Sequence, residues 1–353
     1  MHTTLIEITP TCVYVNNEIE KKEVSAVLGE YKYEFIGEVE NKEAYIGTDA
    51  MKLRGVLNIS YPFYDDYKSD KILLFLKCLI TELSISNGTV TFVQDLLTKV
   101  QLEEVHILLS EIFPNISFTQ ISAHQKHKQT LRVDNLLIID FHKFQIDISG
   151  IWGEKIIEKK TSNVNQKNMS EIIKLGVINN NIIKHGCLGD GIRIFWYHYL
   201  DILIEYGRVL SQKEKAKARL LENYDFDVVR YSLSKFYNDE FSDDNAILSL
   251  EDAIIERNNT EKYLECLYVY GERYLVGEAY FNPNIIGIEE KGLHHLLEDI
   301  VLRYQLQEEN VCIILRGEYL KGLSQRLAEE LKGLKLNNIT VLEFNNLFLN
   351  NLI

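Results

Sequence analysis

The chain has no Cys-x-x-Cys pair, no Gly-x-Gly-x-x-Gly run and no Gly-x-x-x-x-Gly-Lys-Ser/Thr loop. Each absence removes a class of protein. Cysteines stand singly at Cys12, Cys78, Cys187, Cys266 and Cys312, an odd number without the close ligand pairs that zinc requires. Such usage belongs to a reducing compartment, where a thiol serves as a small apolar side chain. Without the glycine fingerprints no backbone cradle for a dinucleotide or a P-loop phosphate is expected. Long hydrophobic runs are also missing. The stretch 72–80 is interrupted by Lys77 and is far too short to span a bilayer, and the N-terminus lacks the basic-then-apolar order of a signal peptide. Positive charge is scarce: 38 basic against 52 acidic residues give a net charge of −14, which repels a phosphate backbone. Lys126, His127, Lys128 and Arg132 cluster, as do Lys213, Lys215, Lys217 and Arg219, but Glu214 dilutes the second group. No primary nucleic-acid role and no membrane association are expected.

With 46% hydrophobic and 25% charged residues, the 353-residue chain has the balance of a folded protein. Its length suits two or three domain-sized units or one two-lobed unit. Strands are predicted over 5–8 and 12–15, joined by Thr9-Pro10-Thr11, then over 31–36, 44–46, 89–92, 116–121, 136–139, 144–148, 263–270, 311–315 and 339–344. Helical spacing of apolar residues predicts helices over 71–83, 101–112, 292–305 and 320–331, and a charged helix over 212–222 capped by Ser211. The aromatic-rich stretch 192–204 reads as a buried helix rather than a cofactor stack, and 156–180 carries few signals. Hairpins followed by helices occur twice, which implies an α/β protein with mixed sheets in two units. His124 and His127 have a spacing two metal ligands could use, but read better as two solvated histidines in a polar loop. Asp140, at the tip of the apolar strand 136–139, reads as a turn cap in preference to a metal ligand. Glu272 and Arg273 are expected to form structural ion pairs between segments.

Three stretches resemble the actin family, in that family's order. The first, 44–62, carries Tyr45, Gly47, Ala50, Arg54, Gly55, Leu57, Tyr61 and Pro62. The second, 271–294, carries Glu272, Arg273, Glu278, Phe281, Pro283, Gly287, Gly292 and His294. The third, 311–322, is similar to the strand and glycine loop that close over the adenosine side of the family's nucleotide. The resemblance spans residues 4–344, with clear motifs over about 60 of them. It implies the two-lobed fold of the actin, Hsp70 and sugar-kinase type: a small first lobe over 1–132 with an outer subdomain around 30–60, a large second lobe over 133–345, and an apolar tail over 346–353. The C-terminus is shortened against the family, which implies an exposed apolar face on the first lobe. The loop at 37–43 is short and acidic where the family carries a longer one that filament neighbours grip, which implies no homopolymer.

The family holds ATP with two glycine-rich hairpins whose N–H groups face phosphate. Here the first hairpin has no glycine, Pro10 removes an N–H, and Glu7 stands in place of the family's Asp. The second reads Asp140-Phe-His-Lys-Phe144, with Lys143 at the family's central acidic position. In the third loop Gly317 is followed by Glu318, which brings negative charge to where a polyphosphate would sit. Glu7, Asp140, Lys143, Gly317 and Glu318 are thus vestigial positions of a nucleotide site, with no cofactor, metal or catalysis expected. The resemblance implies a structural subunit of an obligate hetero-complex whose partners are other protein subunits, actin or other actin-related proteins among them. A cytoplasmic cytoskeletal or motor-adaptor complex is preferred to a nuclear chromatin-remodelling complex, since no clear basic import signal is present. The alternative is a nucleotide-binding actin-like ATPase or filament former.

Overall fold

Period-two alternation, repeated in two blocks of sequence, builds two five-stranded sheets. The computed structural model describes residues 3–17, 21–32, 42–53, 56–63, 69–142, 145–185, 203–204, 206–220, 229–232, 266–269, 271–306 and 309–344. Lys143, Arg54, Gly55, the loop 33–41, most of the expected helix 192–204 and the tail 346–353 lie outside the described residues.

The first block runs β1 (Thr3–Ile8), β2 (Cys12–Asn16) and β3 (Lys21–Ser25), followed by β4 (Leu28–Tyr31), β5 (Tyr45–Ile46), α1 (Gly47–Lys52) and β6 (Leu57–Ser60). Next come α2 (Ser69–Glu82), β7 (Gly88–Val93), α3 (Lys99–Ile112), β8 (Ile116–Ile121) and α4 (Ala123–Leu131). The second block runs β9 (Asn135–Phe141), β10 (Ile146–Trp152), β11 (Lys155–Ser162), α5 (Gln166–His185), α6 (Gln212–Leu220), β12 (Val229–Ser232) and β13 (Cys266–Val269). It finishes with α7 (Glu272–Glu278), a 3-10 turn at Pro283–Ile286, α8 (Leu293–Arg303), β14 (Val311–Gly317), α9 (Leu323–Gly333) and β15 (Ile339–Glu343).

The first sheet has the order β3-β2-β1-β7-β8 and the second β11-β10-β9-β14-β15. In each, three consecutive strands pair antiparallel and two more join in parallel. The connecting helices match as well: α3 lies between β7 and β8, and α9 between β14 and β15. Each parallel pair needs such a crossover, because a tight hairpin cannot join parallel strands. The architecture is mixed α/β, with several sheets flanked by helices. Smaller sheets, β5-β4-β6 and β12-β13, are inserted into the two blocks.

Alternation assigns each strand's faces. Ile6, Ile8, Val13, Val15, Val90 and Phe92 meet α2 and α3 in one core. Leu137, Ile139, Ile313 and Leu315 meet α5, α7, α8 and α9 in another. The opposite faces of the two sheets join: Cys12 and Tyr14 pack with Leu136, Ile138, Cys312, Ile314 and Phe344 in a third, smaller cluster. The Tyr14 ring meets Phe344 edge-on at 4.7 Å between centroids. We call this cluster the seam.

The family-like stretches have local physical reasons. Ala50 and Leu57 lie against Gly29, where an added Cβ would come within 3.1 Å of Ala50 Cβ and 2.7 Å of Leu57 Cδ1, so β4 packs closely on α1 and β6 at this glycine. Glu278 joins Lys215 and Arg326, and Glu272 and Arg273 are buried on α7. Ser211 caps α6 as predicted, exchanging bonds with Glu214. The face of the first sheet opposite α2 and α3 is covered in part by the seam. Its uncovered portion carries Thr89, Thr91, Ser117 and Thr119, with Thr91 and Thr119 hydroxyls 2.8 Å apart, because alternation in β7 and β8 turns the hydroxyls outward.

Candidate functional site

The polar groups that end the seam come from the tips of three strands. Glu7 follows the alternation of β1 onto the seam face, beside its register partner Tyr14. Asp140 and Arg316 are direct register partners on β9 and β14, and both face the same way as Ile138 and Ile314. Arg316 is one of the largest fully buried side chains, 1% exposed. A charge so buried must be matched. Its Nε donates to Asp140 Oδ1 at 2.8 Å and its Nη2 to Asp140 Oδ2 at 2.9 Å, a two-pronged pairing. Its Nη1 donates to Glu7 Oε1 at 2.9 Å. Burial alone would lower the Arg316 pKa, but the two carboxylates outweigh it and the net shift is upward.

Asp140 is therefore not the turn cap expected from the sequence. Its carboxylate is spent on the guanidinium beside it, since parallel pairing of β9 and β14 sets the two side chains at the same level.

The two histidines are also corrected. They lie on α4, not in a polar loop, and both are buried, because the polar run 123–131 turns its histidine face to the sheets. His127 Nε2–H donates to Glu7 Oε1 at 2.7 Å, with its ring edge-on to Phe344. His124 connects the halves. Its Nδ1 meets Asp95 Oδ2 at 2.5 Å and its Nε2 meets Ser149 Oγ, on β10, at 3.0 Å. Burial raises the Asp95 pKa, but hydrogen bonds from His124 and Ser122 outweigh it and hold it at about 2.

The three loops singled out in the sequence converge. The Thr9–Cys12 turn is closed on itself: Thr9 N–H donates to Cys12 O at 2.9 Å, Thr9 Oγ1–H donates to the same oxygen at 2.7 Å, and Cys12 N–H donates to Thr9 Oγ1 at 3.1 Å. Pro10 has no N–H, so three of the four turn positions offer no backbone donor to a ligand. Gly317 has φ +86°, and a Cβ there would stand 2.4 Å from Phe141 O and 3.1 Å from Thr11 Oγ1. Both hairpins thus close against a bare Cα, which only glycine supplies. The Glu318 side chain is exposed, and its carbonyl accepts from Gln166 Nε2 at 2.6 Å. Burial, followed by the charges of Glu318 and Glu23, pushes the Cys12 thiol well above its ordinary value.

Another buried carboxylate, Asp147, pairs with His142 Nε2 at 2.9 Å and Lys159 Nζ at 2.7 Å, and accepts from Thr161 Oγ1 and Gln145 Nε2. Burial raises its pKa, but His142 and Lys159 hold it far below the usual carboxylate range.

Sequence reasoning named Glu7, Asp140, Gly317 and Glu318, and the structure brings all four to one place. It missed Arg316 and Asp147, and it read His127 as a solvated loop residue. One signal was available for Arg316: the strands 136–139 and 311–315 are wholly apolar, and each runs into one opposite charge. Divalent ions take carboxylate oxygens, and here Arg316 engages both oxygens of Asp140 and one of Glu7. Among the described residues no group of three or more His, Cys, Asp or Glu is placed to hold a metal. No helix among them is long and apolar enough to cross a membrane. In comparisons with known proteins, no protein-family model and no curated protein matches the chain.

Proposed function

We propose that the chain is a non-catalytic, actin-related structural subunit of a multiprotein assembly, with a two-lobed fold of the actin, Hsp70 and sugar-kinase type. The fold reading is supported by the repeated sheet, with identical strand order and direction in both blocks. The three family-like stretches add to it. The observation that carries the non-catalytic reading is the Thr9–Cys12 turn, whose donors serve its own closure where a phosphate would need them. Partners are other protein subunits, with actin and actin-related proteins as candidates and a cytoplasmic cytoskeletal or motor-adaptor setting preferred. Val100 and Ile107, seven residues apart on α3 and 74% and 61% exposed, support a protein-binding role.

A melting experiment tests the absence of nucleotide binding. A ligand with Kd near 10 μM, present at about 1 mM, would stabilise the folded state by about 2.7 kcal/mol and raise the midpoint by several degrees. We expect no upward shift with Mg-ATP; a clear one contradicts the reading. Native purification with identification of co-purifying chains tests the other half: recovery of the protein without stoichiometric partners contradicts it.

A further inference from the structure

We propose that Arg316 is a built-in cation that locks the two sheets together without any ligand. The proposal rests on the reading of this chain as a protein that binds no nucleotide, and it says what holds the seam closed instead.

The guanidinium reaches both halves. Two of its three carboxylate contacts go to Asp140 of the second sheet and one to Glu7 of the first, a partner 309 residues away in the chain. A divalent ion bridging the two sheets at this place would compete with the guanidinium for these same two acids. An ion of that kind takes six or more oxygens and can be removed by a chelator. An arginine is always charged, offers its donors in a fixed fork, and cannot dissociate from its own chain. A closure that an ion or nucleotide would make conditional is therefore permanent here. His127 Nε2–H supplies a further donor to the same Glu7 oxygen and so holds the carboxylate toward the arginine. Gly317, the next residue, lets both hairpins close over the lock, since any side chain there would strike Phe141 O.

Two cysteines report on the seam directly. Cys12 and Cys312 are both buried in the cluster where the two sheets meet, one on each side. If the seam opens, their thiols become reachable. The experiment is maleimide labelling of the full-length protein, read peptide by peptide by mass spectrometry, in EDTA, in Mg²⁺ and in Mg-ATP. In the wild type, both cysteines should label slowly and at the same rate in all three conditions. Arg316→Ala should label faster. Because that variant leaves two buried acids unmatched and could fail to fold, a second variant pairs Arg316→Gln with Asp140→Asn, keeping neutral hydrogen-bonding groups of similar size. There the labelling of Cys12 and Cys312 should rise at least tenfold, the change that about 1.4 kcal/mol in an opening equilibrium produces.

The outcomes separate the two readings. Wild-type labelling slowed by Mg-ATP, but not by Mg²⁺ alone, overturns the non-nucleotide reading itself. Wild-type labelling slowed by Mg²⁺ alone overturns the lock, because an ion then does the closing. A folded double variant that labels as slowly as the wild type, with no response to Mg-ATP, overturns only the lock.

Discussion

The two large sheets share strand order, direction and the placement of their crossover helices, but they are finished differently. The first is covered on one face by α2 and α3, and its free face ends in the hydroxyls of Thr89, Thr91, Ser117 and Thr119. The second is packed against α5, α7, α8 and α9, with a core that extends to Leu336. The hairpins differ too. The Thr9–Cys12 turn is held by one threonine, whereas the β9–β10 hairpin carries His142 beside Asp147, which Lys159 of β11 also meets. Strand alternation and crossover connections fix a shared topology, and loops and covering helices then diverge without disturbing it. What remains common is the polar end of the seam, to which each half contributes one acid, Glu7 or Asp140, with Arg316 between them.

The strongest test of this equivalence sits in the cores. Val90 on β7 and Leu315 on β14 are each fully buried on the first parallel strand of their sheets. Asp at either site should cost more than about 4 kcal/mol and abolish soluble expression, because a charge would be buried unpaired. The milder Val90→Ala and Leu315→Ala should both lower the same denaturant midpoint if the seam makes the halves one cooperative unit. Two separated transitions, each moved by one variant, would mean that the halves unfold independently.

A smaller effect distinguishes the two sides of the lock. Asp140 takes two guanidinium bonds and Glu7 takes one. Asp140→Asn should cost about 3 kcal/mol, since it leaves a buried arginine half-matched, and Glu7→Gln should cost less. Urea midpoints of the two variants check the order; an Asp140→Asn protein as stable as the wild type would restore the turn-cap reading.

The smallest expected effect is a pH dependence. Asp95, which His124 ties to the second sheet, is held at about 2 against an ordinary 3.8. A carboxylate with a depressed folded pKa contributes stability that is present above its unfolded pKa and lost as pH falls through the folded value. The contribution should be about 2 kcal/mol, fading between about pH 4 and pH 2. Asp95→Asn should flatten the wild-type decline in that window. If both proteins lose stability in parallel there, Asp95 does not link the halves.

Much of the framework was legible from periodicity. The helices α2, α3, α8 and α9 carry apolar residues at helical spacing, and β1, β2, β7, β8, β9 and β14 read as strands from their apolar or alternating runs. For three of the segments that escaped, the physical cause is plain. The edge strands β3 (Lys-Lys-Glu-Val-Ser) and β11 (Lys-Ile-Ile-Glu-Lys-Lys-Thr-Ser) carry the charges that keep open edges from pairing, and those charges hide the alternation. On α4 the buried face is made of histidines, so no apolar stripe marks it. The pairing of Arg316 with Asp140 spans 176 residues. Its two members are visible as strand-end charges, but their adjacency depends on β9 and β14 being parallel neighbours in register, which no local pattern encodes.

The long reach of Arg316 also sets an order of events during synthesis. The first sheet can assemble from residues 3–121, but Arg316 and Phe344, which complete the seam, are made much later. Until then Cys12 and Tyr14 can meet only Leu136 and Ile138 of the seam, and Glu7 only His127. The entropy of closing so long a loop grows only slowly with length, by about 0.6 kcal/mol per doubling. The delay is therefore a matter of translation time rather than of an unfavourable closure. A nascent chain stalled after α4 would present an apolar face with a buried-type acid at its edge, the kind of surface that chaperones shield and that aggregates when left unshielded.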